Sequence, residues 1–174
     1  ASDGDTVLVA AGTYTENITW PVTNSIKLIG SGEDDCIIDG NQQGNVIFIG
    51  SSSIDTTTLI SGFQIINGYA LGGFPYFRGG GIQCKDGSSP TLRNLAITGN
   101  IAAVTGGGIY FGQNSSVVIS NVTIGGNSAG EGGGIYCENS TPTISNLLMF
   151  NNSASRGGAI FFSSTSIPIL KNLT

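Results

Sequence analysis

Four segments of this chain are variants of one motif: GGGIQC at 79–84, GGGIYF at 106–111, GGGIYC at 132–137 and GGAIFF at 157–162. Their isoleucines, Ile82, Ile109, Ile135 and Ile160, recur every 25 to 27 residues. A second register agrees: the triplets LRN, ISN, ISN and LKN end on Asn94, Asn121, Asn146 and Asn172. Asn100, Asn127 and Asn152 form a third, and Pro90, Pro142 and Pro168 open the middle segment in three of the four copies. A period of this length means that one supersecondary unit repeats and that its copies stack.

Each copy reads as three short strands: GGGIYC-like, PTIS-like and NLLM-like. Ile135 and Cys137 share one face of the first and Tyr136 takes the other. Leu92, Ile119, Ile144 and Leu170 recur in the second. Leu95/Ile97, Val122/Ile124 and Leu147/Met149 recur two residues apart in the third. Period-two alternation over a few residues marks a strand with one buried face. No 10–12-residue stretch has a helical period. About 26 residues per copy is too short for a propeller blade, and the helical segment of a leucine-rich repeat is missing. One turn of a parallel β-helix fits. Successive turns stack at ~4.8 Å, and like residues form columns. The first copies are looser: NVIFIG at 45–50 resembles the first strand with Phe48 outward, KLIGSG and CIIDG resemble the second and third, and TVLVAAGTYTENITW starts the coil. The sequence predicts an all-β, right-handed parallel β-helix of about six turns, spanning roughly 29 Å of axis. It forms a single domain over 1–174 with a loop insertion at 69–77, and is read as part of a longer solenoid.

The asparagines follow from the stacking. A sharp corner needs a left-handed backbone, which Gly accepts freely and Asn or Asp more readily than other residues. Asn also ladders through its amide to the copies above and below. Gly62, in the preceding copy, is the other permitted answer.

Composition narrows the function classes. Only 10% of residues are charged, there is no His, and the net charge is −5 with six scattered Lys and Arg. A nucleic-acid partner would call for a basic stripe. No apolar run approaches the ~20 residues of a membrane helix, so no membrane insertion is expected from this segment. Cys84 and Cys137 fall at one inward position two turns apart, ~9.6 Å by the strand spacing and too far for a disulfide. They are expected to be free, buried thiols.

The run GDTVLVAAGTYTENI, then IKLIGSG and IIDG, then the GG[GA]I and xxN repeats, resembles right-handed parallel β-helix proteins of the pectate-lyase-like superfamily. The repeats are similar to those of chlamydial polymorphic outer membrane proteins and secreted bacterial β-helix proteins. The resemblance implies the fold and a secreted, extracellular or cell-surface location. It leaves function open, because lyases, hydrolases, esterases and adhesins share this superfamily. A lyase of this kind would need a calcium-binding carboxylate cluster and an outward Arg or Lys; a polygalacturonase-like hydrolase would need several Asp and a His, and this chain has no His.

No catalytic residues are assigned. The candidate binding surface is the outward side of the first strand, where Phe48, Gln83, Tyr110, Tyr136 and Phe161 alternate with buried residues and should form an exposed aromatic column. Exposed aromatics with polar rims mark binding surfaces, and Tyr76, with Phe74 and Phe77 in the insertion, would extend or cover this one. Glu33, Asp34, Asp35 and Asp39 form one acidic knot. Such oxygen clusters can take calcium, although a solvated turn is the plainer reading. Arg78, Thr105, Glu131 and Arg156 precede the glycines and should form a column in which Glu131 pairs with Arg156.

The reading favoured is a non-catalytic extracellular module, adhesin-like or glycan-binding, whose partner is a polysaccharide or a host or cell-surface glycan. The alternatives are a polysaccharide lyase or hydrolase and a self-assembling subunit that associates end to end.

Overall fold

The motif isoleucines lie one above another. In the computed structural model, which describes residues 1–72, 77–163 and 165–174, Ile18, Ile47, Ile82, Ile109, Ile135 and Ile160 are successive partners in one parallel ladder. Every strand pairing among the described residues is parallel, and three sheets run along the coil.

Sheet B carries that ladder, in strands Ile18–Thr19, Ile47–Ile49, Ile82–Cys84, Ile109–Phe111, Ile135–Cys137 and Ile160–Phe162. Sheet A holds the longest strands, including Leu59–Ile66, Thr91–Thr98, Val118–Gly125, Thr143–Phe150 and Ile169–Leu173. Sheet C is made of Tyr69–Ala70, Ile101–Ala102, Ser128–Glu131 and Ser153–Arg156.

This division corrects the three strands read from each repeat. The PTIS-like and NLLM-like segments are one eight-residue strand that bends without breaking. Asn94, Asn121, Asn146 and Asn172 stand at the bend with φ of 50°, 54°, 50° and 52°, and Gly62 takes φ 76° at the same corner. Pairing continues on both sides of each bend, for instance Arg93↔Ser120 and Leu95↔Val122. The true third strand is the one after Asn100, Asn127 and Asn152. Segments such as SAGE and SASR are short and small, and show no apolar alternation to announce them.

The interior is filled by the expected columns. Leu92, Ile119 and Ile144 are fully buried, as are Ile97 and Ile124. Burial of each such side chain is worth about 1.5–3 kcal/mol. Cys84 and Cys137 flank Phe111 in register, and they and Cys36 are free and buried.

Close stacking also explains the triple glycine. In the third copy, Gly132 has φ 60°, and a Cβ there would sit 2.4 Å from the Ile135 carbonyl. Gly133 has ordinary φ, but its Cβ would meet the carbonyls of Ser153 at 2.4 Å and Gly158 at 2.6 Å. The first glycine turns the chain; the second lets the next turn approach.

The first turns hold the expected strands, with one elaboration. Ile29 pairs with Ser61 and Ile37 with Gln64, so residues 30–36 occupy the space that Gly62 and Phe63 fill one turn later. Glu33, Asp34 and Asp35 lie in this widened corner.

Candidate functional site

The outward residues of sheet B do form a column. Phe48 pairs with Gln83, Gln83 with Tyr110, Tyr110 with Tyr136 and Tyr136 with Phe161. The Tyr110 and Tyr136 rings stack at 5.9 Å between centroids, and Tyr136 and Phe161 at 5.2 Å. The expectation that this column is exposed is corrected: Gln83 and Tyr110 are 1% exposed and Tyr136 9%. Phe48 and Phe161 are half-buried.

Two features bury the middle of the column. The Tyr110 ring lies down along its own strand, over Gly112, where a Cβ would come within 2.5 Å of ring carbons. Arg78, directly after the 69–77 insertion, then covers it. The guanidinium carbon lies 5.0 Å from the Tyr110 centroid and 5.3 Å from that of Phe77, within cation–π range. Arg78 Nη1 donates to Tyr110 Oη at 2.5 Å and to Glu138 Oε2 at 2.6 Å. The Tyr110 hydroxyl donates to the same Glu138 oxygen. The residue that covers the column is thus Arg78, just beyond the insertion, and Phe74 lies outside the described residues. Tyr76 lies outside the described residues.

This cluster is a clasp. Burial, helped by Glu138 and opposed by Arg78, pushes the Tyr110 hydroxyl well above its ordinary pKa. Burial works to lower the Arg78 pKa, but its neighbours Tyr110 and Glu138 outweigh it and the net shift is upward. Tyr110 therefore stays neutral and Arg78 charged, and the shared Glu138 oxygen is occupied by both. Such a set holds a surface together. Sequence reasoning placed Arg78 only in the column before the glycines, which does exist through Thr105, Glu131 and Arg156. Glu131 and Arg156 form the expected ion pair, and Arg156 also lies 5.4 Å from the Phe161 ring centroid.

The acidic knot is not drawn together. Glu33, Asp34 and Asp35 are exposed. Asp35 accepts from Ser31 at 2.6 Å, while Asp39 accepts from the Asn41 amide at 2.8 Å and Asn67 Nδ2 at 3.0 Å. Among the described residues no three His, Cys, Asp or Glu are grouped to hold a metal ion.

The open part of this face is at Phe48. A groove of about 520 Å³ is lined there by Phe48, Tyr69 and Leu71 on its apolar side and by the polar side chains of Asn17, Gln42 and Gln43, among others. That size falls in the ~300–1,000 Å³ range of small-molecule sites. Sheet B supplies Phe48, sheet C supplies Tyr69, the loop between Asp39 and Val46 supplies the amides of Gln42 and Gln43, and Asn17 precedes the first strand of sheet B. Asn41 and Gln42 hold that loop in left-handed conformations, with φ of 48° and 58°. Its end is pinned from both sides: Asn17 Nδ2 donates to the Asn45 carbonyl at 2.9 Å, and the buried Asn45 Nδ2 donates to the carbonyls of Arg78 and Gly79. Of these residues only Phe48 was singled out from sequence. The signal for Gln42, Gln43 and Asn45 was the polar run NQQGN at 41–45, which interrupts the repeat, and Tyr69 and Leu71 fall in the 69–77 stretch.

The model for the family described as "Right handed beta helix region" matches residues 14–174. The chain belongs to the right-handed β-helix family. No curated protein matches it. Among solved structures, this β-helix is similar to a pectin methylesterase in complex with a hexasaccharide, with TM-score 0.52 and 12% identity over 88% of this chain and 59% of that one. It thus spans less than two thirds of that enzyme. A pectin methylesterase from Aspergillus niger is similar with TM-score 0.47 and 14% identity, over 100% of this chain and 77% of that one. At such identities the likeness concerns the fold. No helix among the described residues is long and apolar enough to cross a membrane.

Proposed function

We propose that this β-helix is a non-catalytic extracellular or cell-surface module that binds polysaccharide, and that its binding site is the groove beside Phe48. The groove itself carries the reading. On a surface otherwise made of tightly stacked turns, it offers aromatic and aliphatic walls beside clustered side-chain amides. Sugars present the matching pair of features, apolar C–H faces and a rim of hydroxyls. The β-helix whose structure holds a hexasaccharide lends this support from a related fold.

Retention of the chain on a broad glycan array is the test. Retention is expected, with loss of at least about tenfold in Phe48→Ala and Tyr69→Ala, a scale of ~1.4 kcal/mol. Leu148→Ala, on the exposed side of sheet A, should bind as the parent does. Absence of retention, or equal retention by all three variants, overturns the reading. Release of products from a bound polysaccharide would establish the alternative, an enzyme.

A further inference from the structure

We infer that the groove beside Phe48 selects uncharged oligosaccharides over polyuronates and other acidic glycans. This rests on the reading of the groove as a polysaccharide site and adds the ligand's charge class. Among the described residues the lining contains no Asp, Glu, Lys or Arg. Its polar groups are amides and hydroxyls, which both donate and accept and so complement sugar hydroxyls without preferring a carboxylate.

The surroundings point the same way. An acidic sugar needs a facing cation or a bridging metal ion. Lys85 approaches Phe48, 5.5 Å from the ring centroid, but is ion-paired with Asp86 at 3.0 Å. Arg78 passes beneath the site, since Asn45 donates to its carbonyl, but its guanidinium is directed to Tyr110 and Glu138. The acids nearest in sequence to the lining are Glu16, immediately before Asn17, and Asp39, three residues before Gln42. Asp39 draws the amide of Asn41 and the side chain of Asn67. A polyanion entering the groove would meet neutral walls, acidic shoulders and a chain of net charge −5.

Calorimetric titration of the whole chain separates the outcomes. The probes are neutral oligosaccharides (gluco-, manno-, galacto- and xylo-series) and oligogalacturonates with and without calcium, each at low and high sodium chloride. At least one neutral series should bind at least about tenfold more tightly than any uronate. Its affinity should change less than about twofold between salt levels, because no ion pair is there to screen. Gln43→Ala and Tyr69→Ala, both at exposed positions, should weaken it without shifting the melting temperature. Tighter binding of uronates, or neutral binding that collapses with salt, overturns the charge assignment and leaves the polysaccharide reading standing. Failure of both classes to bind removes the two together.

Discussion

Two asparagine columns run along this coil at the same period, and they do different work. The outer column, Asn94, Asn121, Asn146 and Asn172, sits at the bend of sheet A. Each residue has left-handed φ, and each side chain after the first donates to the one before it: Asn121 to Asn94 at 3.3 Å, Asn146 to Asn121 at 2.9 Å and Asn172 to Asn146 at 2.9 Å. Asn121, Asn146 and Asn172 are exposed. The inner column, Asn100, Asn127 and Asn152, has ordinary φ; the left-handed residue is the one before it, Gly99, Gly126 or Asn151. Asn100 and Asn127 are 0% exposed. Asn127 Nδ2 donates to the Ile97 carbonyl at 2.9 Å and to Asn152 Oδ1 at 3.0 Å. Its Oδ1 accepts from the backbone and side-chain amides of Asn100, at 2.9 and 3.0 Å. All four hydrogen-bonding positions of the amide are used. The outer asparagines are there for their backbone; the inner ones replace hydrogen bonds that the chain cannot make at a buried corner.

Asn127→Ala should show the largest effect, about 3 kcal/mol or more, because it strands several buried polar groups at ~1–3 kcal/mol each. Loss of the Asn100 amide's acceptor matters most. Urea titration measures it, and a change under ~1 kcal/mol would erase the distinction between the columns. Asn121→Ala should cost less, about 1.5 kcal/mol. Its hydrogen bonds are exposed, and most of the loss is the strain of a left-handed alanine.

The fold was legible because stacking amplifies a weak local signal. Ile82, Ile109, Ile135 and Ile160 say little singly, but their common period places each above the next. The strand boundaries were less legible. Asn121 looked like the end of a strand, since a left-handed residue usually ends one; here the ladder resumes at Val122. The sheet C strands lack alternation and could be found only by pairing. In the candidate site, alternation gave the outward direction of Tyr110 and Tyr136 correctly. It could not give their burial, which depends on Arg78 reaching a glutamate 60 residues away. The groove was hidden for a related reason, since NQQGN belongs to no repeat and its partners come from three turns.

Tyr110 stands between the two columns in character: it points outward yet is buried, and its hydroxyl bonds to charged partners. Tyr110→Phe should cost about 1 kcal/mol, the net worth of an ordinary hydrogen bond, because the ring and the direct Arg78–Glu138 pair remain. It should also change the alkaline limb. A phenol whose folded pKa is raised stabilises the fold fully below the ordinary value of 10.0 and loses that contribution as pH rises above it toward the folded value. Cys84 and Cys137, also raised by burial, act from 9.0 upward. Urea midpoints between about pH 9 and 11 should therefore fall less steeply in Tyr110→Phe than in the parent, with the cysteine part unchanged. Identical slopes would mean that the hydroxyl is not shielded by the clasp.

The smallest expected effect is the sharpest test of what the outer column is for. Asn121→Gly removes the same two side-chain hydrogen bonds as Asn121→Ala but keeps a residue at ease with φ near 54°. If backbone conformation is the reason for asparagine here, glycine should be better tolerated than alanine. The cost should be only about 0.5 kcal/mol, most of it the extra freedom of glycine in the unfolded chain. Gly62 already fills this corner two copies earlier. If the amide ladder is instead the main stabilising element, glycine and alanine should be equally harmful, and urea titration of the two variants side by side decides between them. At Asn127 the prediction reverses: glycine there should be no better than alanine, because what is lost is the buried amide itself.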